Sequence, residues 1–516
     1  MSSMSLAFGP VALVSDGGIA VIEIDNPPVN ATSQAVRAGL LAAVEAAEAD
    51  ATIHAVVIAA AGRTFVAGGD IAEFGKTPQL PHLPDVMNRI ETLAKPVVVA
   101  WHGTALGGGC EIGLAAHARV MAADASLGLP EVKLGLCPGA GGTQRLPRLV
   151  GIAKAIDIIG SGRMVGAAEA AALGLTDMLA DGDVRKAAIA KARAMIGKPV
   201  LRTSDRPTPP ADEAAIAKAV AAVTKDRHRL APVAIADLVQ LSARLPVAEG
   251  MPVERKAFFQ LMESDQSKAL RHVFFAERAV ARVRGIEGVG ARAVRSVGIV
   301  GAGTMGAGIA VAFLDAGYCV TIVETSVEAL ERGRARIGEL YDRSLRFGRV
   351  SADGKAERLG RAIFSADLAD LAGCDLVVEA VFEDMAVKKD LLGKLETITR
   401  PDCILATNTS YLDIDDMASG LARPQNVVGL HFFSPAHVMK LLEIVRARKT
   451  ASDVLATAVA LGKRLRKVAV VCGVCDGFIG NRILARYRAQ CEFMLEEGAL
   501  PQEIDAALEA YGFAMG

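Results

Sequence analysis

The stretch 296–324, SVGIVGAGTMGAGIAVAFLDAGYCVTIVE, leaves its backbone few choices. A short apolar run ends on glycines spaced GxGxxG, at Gly301, Gly303 and Gly306. Apolar residues then recur at helical spacing to Ala316, Gly317 stops them, and a second apolar run leads to Glu324. Strand, tight turn, helix and strand in that order make a βαβ unit, and a helix that opens on bare glycines can hold a phosphate. Glu324 comes about twenty residues after Gly303, where an acid binds a ribose diol, and its charge repels a 2′-phosphate. The pattern predicts an α/β dinucleotide-binding (Rossmann) domain that takes NAD in preference to NADP.

A second stretch of this kind lies in the front half. The buried-type strand Val97–Trp101 leads to Gly107, Gly108 and Gly109, and an apolar helix carrying Glu111 opens there. Three glycines leave main-chain N–H groups open to a ligand oxygen, so an anion or a developing oxyanion can be held. Glu131 follows after Pro130, and two carboxylates at one pocket suit acid and base roles. Spacing alone leaves a second reading open, in which the glycines serve a tight turn, Glu111 is an N-terminal helix acid and Glu131 lies on the surface.

Length and composition narrow the class. The chain has 516 residues, enough for two to four domains with their own cores. Its 57 basic and 58 acidic residues are mixed, and only 4% of residues are aromatic, which argues against a nucleic-acid footprint or base-stacking surface. No apolar run reaches membrane length, and the N-terminus lacks the basic and apolar segments of a secretory signal, so the expected location is cytoplasmic. Eight cysteines are scattered, several in apolar contexts such as Cys319 and Cys403, as expected of reduced, buried thiols. Cys472 and Cys475 form a CxxC, but without a second pair or nearby histidines a metal site is not expected.

In chain order, VALVSDGGIAVIEID reads as a hairpin turning at Asp16-Gly17-Gly18, followed by an alanine-rich helix and the strand HAVVIAAA. The loop AGRTFVAGGDIAEF places Gly68 and Gly69 before Asp70, itself a candidate helix cap. Residues 198–290 are proline-punctuated and helical, with one long helix expected over 253–284. That helix's basic residues suit a solvated face or a nucleotide contact. The expected divisions are 1–197, a helical extension and linker at 198–290, the dinucleotide domain at 291–475, and the start of a helical domain at 476–516.

Four ordered motifs, FVAGGDI at 65–71, HGTALGGGCE at 102–111, LPE at 129–131 and PGAGGTQRLPRLVG at 138–151, resemble the enoyl-CoA hydratase/isomerase (crotonase) family. The order of strands and motifs through 296–490, including HFFSP and MKLLEIV, resembles the 3-hydroxyacyl-CoA dehydrogenases. Together they resemble the multifunctional enzymes of fatty-acid β-oxidation. The resemblance implies a crotonase-like domain joined by a helical linker to a Rossmann domain. It further implies acyl-CoA thioester substrates, an oxyanion hole at Gly69 and Gly108, and catalytic Glu111 and Glu131. It also makes the variable segment 76–94 part of the acyl pocket.

In the rear half it implies a catalytic His431 oriented by Glu443. Ser410 and Asn481 fall at substrate-contacting positions, and Glu379 and Lys388 in the nucleotide- and CoA-side motif. Without its neighbours His431 would read as a core histidine; a base that takes an alcohol proton needs an imidazole held by a carboxylate. Relatives also imply possible Δ3,Δ2-enoyl-CoA isomerase activity and a thiolase partner. Because relatives continue beyond the position of Gly516, the chain is expected to be truncated. The alternative is a hydratase/isomerase whose rear half only binds nucleotide or docks a partner.

Overall fold

Val97–Trp101 is apolar at every position, as suits a strand covered on both faces; in the computed structural model all five side chains are buried inside a seven-stranded sheet. The structure describes residues 5–210 and 212–516, so the first four residues of the N-terminal stretch lie outside it. Two units divide between Phe274 and Phe275.

The first unit contains β1 (Ser5–Phe8), β2 (Val11–Asp16), β3 (Ile19–Ile24), β4 (Ala55–Ala60), β5 (Val66–Ala67) and β6 (Val97–Trp101). They are followed by β7 (Thr104–Leu106), β8 (Ala118–Ala122), β9 (Ser126–Gly128), β10 (Val165–Gly166) and β11 (Met178–Ala180). The large sheet runs β1-β2-β3-β4-β6-β8-β11 and a small one β10-β9-β7-β5. Asp16 pairs with Ile19, so Gly17 and Gly18 form the hairpin turn, both left-handed at φ 55° and 82°.

The helix Gly108–Ala115 is buried at all eight positions, which explains its uniformly apolar sequence. Its Gly113 lies against the Trp101 indole, where no side chain fits. The helical extension is no separate core: Ile216, Ile235, Leu238, Val239 and Leu261 belong to the same buried cluster as Val97 and Ile112.

The single helix expected over 253–284 is instead two, Val247–Glu263 and Asp265–Ala279. Ser264 adopts extended backbone between them, and its hydroxyl oxygen accepts from the Ser267 N–H at 3.2 Å. A serine that caps the next helix competes with continuation of the previous one.

The second unit has an eight-stranded sheet of β12 (Ser296–Val300), β13 (Cys319–Val323), β14 (Ala362–Ser365), β15 (Leu376–Glu379), β16 (Ile404–Thr407), β17 (Val427–Phe432), β18 (Leu441–Arg446) and β19 (Val468–Gly473). Its order is β14-β13-β12-β15-β16-β17-β18-β19. Only β17 and β18 pair antiparallel; the other neighbours are parallel. Helices Gly480–Glu496 and Pro501–Tyr511 follow.

Cys403 is buried as expected, but Cys319 is exposed, because it opens β13 and the inward positions of that strand fall to Val320 and Ile322. All eight cysteines are free. Among the described residues, no helix is long and apolar enough to cross a membrane and no cluster of His, Cys, Asp or Glu is arranged to hold a metal ion.

Candidate active sites

In the first unit two glycine turns meet around one buried threonine. Gly68 takes φ +98° and Gly107 φ +49°, conformations that favour glycine. Thr32 bonds the Gly68 carbonyl through its N–H (2.9 Å) and hydroxyl (3.3 Å). A methyl group on Gly108 would lie 3.1 Å from Thr32 Oγ1, and one on Gly69 4.0 Å from the same atom. The two glycines of the expected oxyanion hole are therefore neighbours, with Gly108 opening the helix Gly108–Ala115. Leu83, within the expected acyl-pocket segment, stands 2.9 Å from the methyl position of Gly108. Asp70 also fills its cap role, accepting from the Ala72 N–H at 3.0 Å.

Glu131 reaches the same place: its Oε1 lies 2.8 Å from where a Gly107 methyl would be. Its Oε2 is buried and has no hydrogen-bond partner among the described residues. Burial, followed by the charge of Glu111, pushes its carboxyl well above the ordinary range. Glu111 is also raised by burial, but less, because the Ala140 and Gly142 N–H groups donate to its Oε1 at 2.8 and 3.0 Å and Arg145 and Arg255 stand near. Two interacting carboxyl groups in unlike surroundings separate into an acid and a base. The surface alternative is not what the structure shows: Glu111 is buried, and Glu131 is half-buried with its Oε2 enclosed.

A third carboxylate, Glu254, joins them from helix Val247–Glu263, fully buried and raised to about 7 by burial and by Glu111. Its sequence context gave no sign of this, an acid in a helix of mixed polarity. Thr32 was equally silent.

In the second unit β17 and β18 set His431 directly opposite Glu443. His431 Nδ1 lies 2.6 Å from Glu443 Oε2, and both residues are buried. Burial alone would raise the Glu443 carboxyl, but His431 and the N–H groups of Gly480 and Ile479 outweigh it and hold it low. Those two N–H groups donate to Oε1 at 2.7 and 3.1 Å. The rings of Phe433 and Phe478 lie 4.5 and 5.7 Å from the imidazole.

Asn481 directly follows Gly480, which brings it to the same helix start, and Ser410 is tied through its N–H to Glu383 Oε1 at 2.8 Å. Asn408, unremarked in the sequence, accepts from the Phe432 N–H at 2.8 Å and so ties the end of β16 to the strand bearing His431.

The turn after β12 fits a dinucleotide. Gly301 takes φ +96°, and a methyl there would lie 2.8 Å from the Ala380 carbonyl oxygen; a methyl on Gly306 would collide with the Gly301 carbonyl. Gly303, at the N-cap of helix Thr304–Asp315, instead faces open space, as close approach of a pyrophosphate demands. Glu324 is at the turn, with Oε1 accepting from the Ala302 N–H at 2.6 Å. Glu379 and Lys388 are buried against each other at 2.8 and 2.9 Å, with Thr407 on Glu379 and Glu383 3.3 Å from Lys388. Lys388 is thus held between two carboxylates, and the Thr407 hydroxyl on Glu379 ties the ends of β15 and β16 together.

Residues 15–204 match the enoyl-CoA hydratase/isomerase family, 296–475 the NAD-binding domain of 3-hydroxyacyl-CoA dehydrogenase, and 477–516 that enzyme's C-terminal domain. The peroxisomal bifunctional enzyme of Danio rerio is 43% identical over 508 residues, covering 96% of this chain and 70% of the relative. The Homo sapiens protein of the same name is 39% identical over 514 residues, with the same coverage. The peroxisomal fatty acid beta-oxidation multifunctional protein AIM1 of Arabidopsis thaliana is 36% identical over 539 residues, covering 99% of this chain and 74% of the relative. All three domain types are represented in these matches. They favour the two-reaction reading over a rear half that only binds.

Proposed function

The chain belongs to the multifunctional β-oxidation enzymes, in which an enoyl-CoA hydratase is joined to an NAD-dependent 3-hydroxyacyl-CoA dehydrogenase, and from that premise we propose which residues carry each reaction. The N–H groups of Gly69 and Gly108 donate to the thioester oxygen of a trans-2-enoyl-CoA and stabilise the enolate that forms. Glu111, anchored through one oxygen by two N–H groups, is the base that takes a proton from water as its oxygen bonds to C3. Glu131, raised and with its Oε2 enclosed, is the acid that gives its proton to C2. The product is the 3-hydroxyacyl-CoA that the second unit oxidises to 3-ketoacyl-CoA.

There, the far ring nitrogen of His431 takes the hydroxyl proton, while Glu443 on Nδ1 fixes the tautomer and stabilises the imidazolium. Ser410 and Asn481 orient the hydroxyacyl group. Gly301, Gly303, Gly306 and Glu324 would hold NAD, with Glu379 and Lys388 bracing its pocket from below; the chemistry NAD supplies when bound is hydride acceptance.

The observation that carries this reading is the pair of unlike carboxyl groups beside two converging glycine turns. Its test is to supply the chain with trans-2-butenoyl-CoA and NAD. The expected result is loss of enoyl absorbance with later appearance of NADH; absence of both would overturn it.

Glu131 alone can also carry a proton between C4 and C2, which supports Δ3,Δ2-enoyl-CoA isomerisation as a further activity. A thiolase, which consumes the 3-ketoacyl-CoA, is the proposed partner, tested by co-purification. A cytoplasmic location rests on the N-terminal composition and is tested by cell fractionation.

A further inference from the structure

The turn Ala140–Thr143, which leads into helix Gly142–Val150, offers four consecutive backbone N–H groups, and two carboxylates share them in alternation. Ala140 and Gly142 donate to Glu111 Oε1 at 2.8 and 3.0 Å. Gly141 donates to Glu254 Oε1 at 2.6 Å, and Thr143 to Glu254 Oε2 through its N–H at 2.9 Å and its hydroxyl at 2.5 Å. Successive N–H groups at a helix start point in different directions, so each carboxylate grips one side of the turn. Gly141 sits between them at φ +101°, a conformation that contributes little stiffness of its own.

Both N–H groups on Glu111 meet the same oxygen, which leaves Oε2 to receive a water proton. That division persists only while the turn keeps its orientation, and the partner that holds the other side of the turn is Glu254, delivered from a helix more than a hundred residues away in sequence. We propose that Glu254 is a positioning residue of the hydration site, locking the turn 140–143 so that Glu111 stays anchored through Oε1 and presents Oε2 to water. The proposal rests on the hydratase reading of the first unit.

The lock is also electrostatic. Glu254 faces Glu111, Glu131 and Cys137, with Arg255 beside it and Arg145 against Gly141. Its charge raises the proton affinity of Glu131. Its own carboxyl is placed to titrate at about 7, within the working range of the acid–base pair.

The test is hydration of trans-2-butenoyl-CoA by wild type, Glu254→Gln and Glu254→Asp across pH, with NADH formation from 3-hydroxybutyryl-CoA as the control for intact protein. Glu254→Gln fills the same space but sets an NH2 against a turn that offers only donors. It is expected to lower kcat by about 10-fold or more with KM changed far less. The high-pH limb of its profile moves to lower pH, because above about 7 a negative charge has left the neighbourhood of Glu131. Glu254→Asp keeps the charge and loses the reach: kcat falls and the limbs stay in place.

A wild-type kcat and pH profile in Glu254→Gln would overturn the proposal. Equal loss of kcat in both variants with unmoved limbs would also overturn it, since plain disruption predicts that pattern. If Glu254→Gln does not fold, Thr143→Val carries the decision; it removes the hydroxyl's bond to Glu254 and the one it accepts from Gln144 Nε2, which keeps its bond to the Leu238 carbonyl: unchanged kcat there is fatal and a loss of about 3-fold or more is the expected result. A wild type that does not hydrate the substrate would sink the hydratase reading itself, whereas an active wild type matched by Glu254→Gln sinks only the role of Glu254.

Discussion

At the scale of single residues, the first site works by giving like groups unlike neighbours. Glu131 has a buried oxygen with no donor, whereas Glu111 holds two N–H groups on one oxygen. Replacing Glu111 by Ala should lower hydration by about 100-fold or more while any isomerase activity survives better, measured with 2-enoyl and 3-enoyl thioesters in parallel. Glu131→Gln should lower both, because the proton carrier is lost from each reaction. Burial of these acids also leaves a mark on stability. Folded Glu254 keeps its proton to about 7 against an ordinary 4.5, so the stability it contributes is complete below 4.5 and is lost as pH rises through 7. Chemical denaturation at about pH 5 and about pH 8 should show Glu254→Gln flattening that decline by up to about 3 kcal/mol.

At the scale of elements, function depends on how closely backbones approach. A methyl on Gly109 would lie 2.7 Å from Val66 Cβ, wedging helix Gly108–Ala115 away from the strand that leads into Gly69. Gly109→Ala should therefore cost about 1–3 kcal/mol in thermal unfolding and reduce hydration by more than its loss of folded protein explains. Elements of this kind were readable because strand, glycines and helix are contiguous: the turns at Gly107 and Gly301 announce themselves within a few residues. The His431–Glu443 pair was readable for a related reason, since adjacent antiparallel strands bring nearby residues face to face. Glu254 was not, because its partners lie over a hundred residues upstream and nothing local separates it from a solvated helix acid. Ser264 was missed because the apolar rhythm on either side of it continues, and only its hydroxyl chemistry reveals the break.

At the scale of the whole molecule, each unit owns its buried clusters and its acid–base pair. Lesions should thus separate cleanly. Glu111→Ala is expected to leave NADH formation from added 3-hydroxyacyl-CoA at the wild-type rate, and His431→Asn to leave hydration intact while 3-hydroxyacyl-CoA accumulates, both followed by chromatography of the CoA esters. Glu443 has a wider reach than its partner. One of its oxygens steadies the imidazole and the other receives the opening N–H groups of helix Gly480–Glu496. Fraying of that helix and misalignment of the base are consequently a single event, and by reciprocity a ligand that tightens the imidazole slows amide exchange at Ile479 and Gly480.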